Sequence, residues 1–141
     1  MQNQKHTKWE CTYHVVIVPK YRKKRLYKAI RNRLRELIPE LCRQKGVEVL
    51  KGNVKPDHVH MLLSIPPKLS VSQVMGFLKG KLAIRLHNEN GCYKRLGQKK
   101  FWSRGYFVRT TGLDTEVVKK YIDDQWKKDQ DQDGEGVDSS W

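Results

Sequence analysis

VEVLKGNVKPDHVHMLLSI, residues 47–65, is the stretch on which the fold turns. Two runs rich in β-branched and apolar residues, Val47–Val54 and His58–Ile65, flank Lys55, Pro56 and Asp57, and that turn chemistry predicts an antiparallel hairpin. Alternation along the second run sends His58, His60 and Leu62 to one side and Val59 and Met61 to the other. One strand therefore has to serve two faces.

Upstream, residues 9–18 alternate in the same way, with Trp9, Cys11, Tyr13, Val15 and Ile17 opposite Glu10, Thr12, His14 and Val16, as in a half-buried strand that ends at Pro19. From Tyr27 to Gln44 the apolar residues Ile30, Leu34, Leu37, Ile38, Leu41 and Cys42 recur at helical spacing. Pro39 is expected to kink or restart that helix, and Gly46 to stop it. Downstream of the hairpin, Ser70 with Gln73 three residues on forms a capping box for a second helix running to about His87. Phe101–Thr110 reads as a fourth, aromatic-rich strand. A third helix starts near Thr115 and carries Val118, Ile122 and Trp126.

The resulting order, β-α-β-β-α-β-α, predicts an α+β fold. It is the ferredoxin-like or RRM-like antiparallel sheet of about four strands with helices on one face, extended by a C-terminal helix that bears a tyrosine. At 141 residues and 16.7 kDa one domain is expected. Cys11, Cys42 and Cys92 are odd in number and contain no Cys-x-x-Cys pair, which argues against a disulfide framework or a thiolate zinc site. With no signal-like or membrane-spanning apolar run, a cytoplasmic protein is expected.

Charge separates the chain into two parts. Residues 128–141 hold one Lys against five acids and are expected to form an acidic, disordered tail; residues 1–127, the expected catalytic body, carry a net charge of +18. Such a body attracts polyanions through phosphate contacts and counterion release, and nucleic acid is the commonest in a cytosol. Lys20, Tyr21, Arg22, Lys23, Lys24 and Arg25 form a basic surface arm suited to DNA phosphates, with Tyr21 free to stack on a base, although a merely solvated basic loop reads the same way. Phe101, Trp102, Tyr106 and Phe107 can face bases or the core, and alternation assigns at least half of them to the core.

Taken alone, a His-x-His pair on a strand is more often a packed or surface pair than a metal site. Tyr121 and Gln125, four apart on the third helix, add a phenol and an amide carbonyl on one helix face. A phenol is a nucleophile towards phosphorus only when something offsets its pKa of about 10. A divalent ion held by His58, His60 and Gln125 would do so as a Lewis acid. From spacing alone, Tyr121 reads more readily as a boundary aromatic and Gln125 as an ordinary helix-surface amide. His14, on the polar face of the first strand, can neighbour the pair but is more readily a satisfied structural histidine, and Asp57 can support His58 or simply make the turn after Pro56.

Four stretches in order, YHVVIVPKYRKK (13–24), PDHVHMLLSIPP (56–67), FWSRGYFV (101–108) and YIDDQ (121–125), resemble the single-tyrosine HUH transposases of small bacterial and archaeal insertion sequences. The likeness covers about residues 9–127. It implies a catalytic Tyr121, a Mg²⁺ or Mn²⁺ ion held by His58, His60 and Gln125, and a homodimer in which the tyrosine helix of one subunit serves the histidines of the other. It further implies cleavage and rejoining of single-stranded DNA at hairpin-marked element ends, without ATP, through a 5′-phosphotyrosine. A domesticated hairpin-processing relative and a non-catalytic RRM-like binding module are the alternatives. A His-x-His-x-His phosphoesterase is disfavoured because Leu62 stands where a third histidine would be. If the arm grips phosphates, Lys23→Ala with Lys24→Ala weakens DNA binding and flattens its salt dependence, read from binding isotherms at several salt concentrations.

Overall fold

The computed structural model describes residues 11–20, 26, 28–89, 101–110 and 115–133. In chain order these form β1 (Thr12–Ile17), α1 (Lys28–Gln44), β2 (Glu48–Lys55), β3 (His58–Ser64), α2 (Val71–Glu89), β4 (Phe107–Arg109) and α3 (Thr115–Asp133). The strands make one antiparallel sheet in the order β2-β3-β1-β4, as the element order predicts.

Alternation on the central strands builds the core. Val15 and Ile17 of β1 and Val59, Met61 and Leu63 of β3 are buried on one face, and Leu34, Leu37 and Leu41 of α1 with Val74, Leu78, Leu82 and Leu86 of α2 close over them. Each such side chain contributes about 1.5–3 kcal/mol on leaving water. The capping box forms as expected: the Gln73 amide N–H donates to Ser70 Oγ at 3.0 Å and the Ser70 N–H donates to Gln73 Oε1 at 2.8 Å. At the other end of α2, Arg33 of α1 meets Glu89 through two bonds of 2.7 and 3.1 Å, tying the helices together. Gly46 ends α1 with φ of 73°, a backbone region that a β-carbon disfavours.

Four expectations need correction. The helix does not restart at Pro39; α1 runs through it, because Pro39 lies on the exposed side, where water can serve the carbonyl that loses its partner. The fourth strand is three residues long, not ten. Gly105, with φ of 76°, turns the chain within that stretch. The part before it instead bonds to the end of β1, with the Lys20 N–H donating to the Phe101 carbonyl and the Ser103 N–H to the Val18 carbonyl, each at 2.9 Å. Third, the segment expected to be tail is helical as far as Asp133, and Asp129 is wholly buried. Fourth, Lys20 is 5% exposed, so it is not part of a surface arm. Tyr21–Arg25, Cys92 and residues 134–141 lie outside the described residues.

No helix among the described residues is long and apolar enough to cross a membrane. Leu78 sits at the centre of the core with no exposed surface. Leu78→Ala should lower the free energy of unfolding by about 2–5 kcal/mol, measured by urea denaturation.

Candidate active site

The face of the sheet opposite α1 and α2 carries the histidines. Strand pairing sets Val16 beside His60 and His14 beside Leu62, and on the far side of β1 it sets Phe107 beside Val16 and Arg109 beside His14. Helix α3 lies on the same face, over its β1–β4 half: Val118 and Ile122 pack against Val16 and Val18, with Phe107 and Tyr121 alongside. The Tyr121 ring meets Phe107 at 5.4 Å between centroids, tilted by 45°. His58, His60, Tyr121 and Gln125 thus all belong to one side of the sheet, although no hydrogen bond or ring contact among the described residues joins Tyr121 to either histidine.

Each imidazole has a neighbour that orients it. His58 Nδ1 lies 3.0 Å from Asp57 Oδ1, so its Nε2 remains for another partner. His60 Nε2 lies 3.2 Å from His14 Nδ1, the rings tilted by 31°. Burial is the main cause that lowers the His60 pKa, helped by His14, His58 and Lys51, and the ring is therefore biased towards the neutral form that can ligate a metal. Both supports were open possibilities in the sequence, and the contacts of Asp57 with His58 and of His14 with His60 decide for them.

On α3, Tyr121, Gln125 and Asp129 fall at successive four-residue steps along one stripe. Gln125 is 5% exposed and its Nε2 donates to the Arg104 carbonyl at 3.1 Å, which leaves its Oε1 as the acceptor end. Asp129 accepts the Ser103 hydroxyl at 2.6 Å. Burial raises its pKa, while Ser103, Lys20 and Lys79 oppose that rise by favouring the carboxylate. The Lys79 ammonium donates to the carbonyls of Ser103, at 2.8 Å, and Gly105, and burial brings its pKa down to about 8. Lys20 and Lys79 thus flank a carboxylate at the junction of β1, α2, α3 and the 101–105 segment. Sequence reasoning missed Asp129 because it reads as one more acid in a charged tail; the available signal was the continuation of the Tyr121–Gln125 spacing by a further four residues.

This arrangement holds the phenol in check. The Tyr121 hydroxyl is buried and has no hydrogen-bond partner among the described residues. Burial first, and the nearby Asp129 charge second, push its pKa above that of an ordinary tyrosine. Tyr121 is therefore a neutral phenol here, awaiting a partner. Among the described residues no three His, Cys, Asp or Glu side chains converge on a metal position. No contact among the described residues joins Gln125 to either imidazole; imidazole nitrogens and an amide oxygen are nevertheless donor types that suit a divalent ion.

Comparison with known proteins identifies the class. A family model described as IS200-like transposase matches residues 7–125. The transposase for insertion sequence element IS200 of Salmonella typhimurium is 42% identical over 125 residues, covering 88% of this chain and 82% of that protein. The ISDra2 transposase TnpA of Deinococcus radiodurans is 30% identical over 126 residues, covering 86% of this chain and 88% of its own. Among solved structures, a protein of Deinococcus radiodurans R1 described as a transposase superposes with a TM-score of 0.78 at 26% identity, over 89% of this chain and 98% of the other. The REP-associated tyrosine transposase bound to a REP hairpin shares the fold, with a TM-score of 0.53 at 16% identity over 87% and 68% of the respective chains.

The class these likenesses define is that of DNA transposases. The chain belongs to the IS200-like transposase family.

The enclosed phenol is open to direct measurement. In an absorbance titration, the difference between the protein and Tyr121→Phe should show the Tyr121 phenolate forming above the ordinary value of about 10. Because the folded pKa lies above the unfolded one, this group's stabilising contribution is complete below that value and declines as pH rises beyond it.

Proposed function

We propose that this transposase cleaves and rejoins single-stranded DNA at hairpin-marked element ends through Tyr121. The observation that carries the reading is the placement of the tyrosine helix on the same face of the sheet as His58 and His60. In the forward step the Tyr121 oxygen forms a bond to phosphorus, the P–O3′ bond breaks, and the products are a 5′-phosphotyrosine and a free 3′-OH. A second 3′-OH reverses the exchange on a new strand, so the bond energy is retained in the protein–DNA link.

His58, His60 and Gln125 would hold a Mg²⁺ or Mn²⁺ ion. When bound, that ion supplies Lewis-acid polarisation of the scissile phosphate. Asp57 and His14 keep the two imidazoles in place, and the Arg104 carbonyl keeps the oxygen end of the Gln125 amide available. The Tyr121 hydroxyl has to exchange its closed surroundings for the phosphate, and the lever for that is a displacement of α3, on its own sheet or onto that of a second subunit in a homodimer. Hairpin recognition is supported by the fold shared with a tyrosine transposase solved on a hairpin. The non-catalytic RRM-like alternative is disfavoured, since this face carries histidines on its central strand and a helix over one half.

A labelled hairpin strand incubated with the protein and Mn²⁺ should yield an adduct that survives denaturation. Tyr121→Phe abolishes it while binding stays near the original level, and His60→Ala or a chelator reduces Mn²⁺-dependent cleavage to background. An adduct that persists in Tyr121→Phe would overturn the nucleophile assignment.

A further inference from the structure

The site described so far occupies half of the histidine face, and the other half is lined by β2. Pairing with β3 is regular at Val54 beside Val59 and at Val49 beside Leu63, but Lys51 then sits beside Leu62, so the register shifts at Leu50, a β-bulge. Val49 and Val54 are five residues apart, an odd separation that places residues on opposite faces of a regular strand. The bulge absorbs one residue and lets both valines face the core. As a result Lys51, Asn53 and Lys55 all turn to the histidine face, beside Leu62, His60 and His58 respectively.

All three side chains are exposed, and among the described residues no carboxylate pairs with either lysine. Lys51 is near enough to His60 to disfavour its protonation. On the opposite side of the histidines, Val118, Ile122 and Tyr121 of α3 cover Val16 and Val18. A DNA strand whose phosphate is seated at His58 and His60 therefore meets a helix in one direction and an open row of cation, amide and cation in the other. Positions two apart on a strand are separated by about 6.4–6.8 Å, so the row spans several units of an extended backbone. The row contains no aromatic ring, which leaves charge and hydrogen bonding as its means of holding a ligand.

The geometry points to Lys51, Asn53 and Lys55 as the track that binds the single strand flanking the scissile phosphate. The two lysines contact backbone phosphates on either side of Asn53, whose amide both donates and accepts and so can read a base edge. This inference rests on the single-strand reading of the site, and it assigns positioning residues on an element outside the tyrosine and metal machinery.

The test compares binding of a labelled DNA stem-loop with and without a single-stranded thymidine overhang, by fluorescence anisotropy over a range of salt concentrations. Lys51→Gln with Lys55→Gln removes both charges while keeping polar side chains at two exposed positions, and circular dichroism checks that the fold is kept. For the overhang substrate the double variant should reduce the slope of log affinity against log salt by about 1.4, two single-strand contacts at about 0.7 each. Its preference for the overhang substrate over the bare stem-loop should fall to about one, with affinity for the bare stem-loop unchanged. Asn53→Ala should alter preference among bases in the overhang without changing the salt slope. An unchanged slope and preference in the double variant would overturn the assignment. Failure of the tyrosine chemistry would appear separately, as absence of a covalent adduct from the unsubstituted protein, because binding is read here without any reaction.

Discussion

The two-sidedness of β3 is the constraint on which the molecule depends. Val59, Met61 and Leu63 have to be buried for the sheet to hold α1 and α2, and the intervening His58 and His60 are thereby aimed at the opposite face, with no freedom to turn inward. The core fixes the imidazoles as firmly as it fixes the fold. Their local partners, Asp57 and His14, then choose which ring nitrogen remains available. His60 sits inside the sheet with β2 and β1 on either side, whereas His58 opens β3 beside the hairpin turn, whose Asp57 orients it.

Helix α3 is held on different terms. Among the described residues its apolar contact with the sheet centres on Val118 and Ile122 with Tyr121 beside them, and its more distant anchor is a buried carboxylate near a hydroxyl and two lysines. Such a cluster is costly to break one member at a time, since a lone buried charge is left behind, yet it adds little net stability over an apolar contact. It specifies where the helix docks more than how tightly. The unpartnered Tyr121 hydroxyl carries a desolvation cost of about 1–3 kcal/mol in that position, which is recovered once the phenol finds a partner. A helix docked in this way is compatible with the proposed role of Tyr121, in which the phenol exchanges its present surroundings for a phosphate.

What could be read from the sequence was local. The Ser70–Gln73 cap, the spacing of α1 and α2, and the facing of His58 and His60 all follow from neighbours a few residues apart, and they appear as expected. What could not be read depended on distant partners. Asp129 looks like part of an acidic run until Ser103, Lys20 and Lys79 are brought to it, and Lys20 looks like the first residue of a basic arm until its burial is seen. The fourth strand was overextended because its aromatic composition hid the turn at Gly105, which divides it into a bridge with Pro19 and a short β4. The facing of Lys51, Asn53 and Lys55 was hidden for a similar reason, since periodicity cannot show where a ladder skips a residue.

The bulge at Leu50 has another effect, on how copies of the protein behave in crowded solution. β2 is an outer strand, and an unbroken outer strand offers a row of backbone donors and acceptors on which a neighbouring molecule can lengthen the sheet. Here the row is interrupted, a leucine 46% exposed projects from the irregularity, and a second copy lying antiparallel would bring ammonium groups against one another. The extra residue thus interrupts the ladder on the outer strand, and with Lys51 and Lys55 it makes that edge a poor template for a further strand.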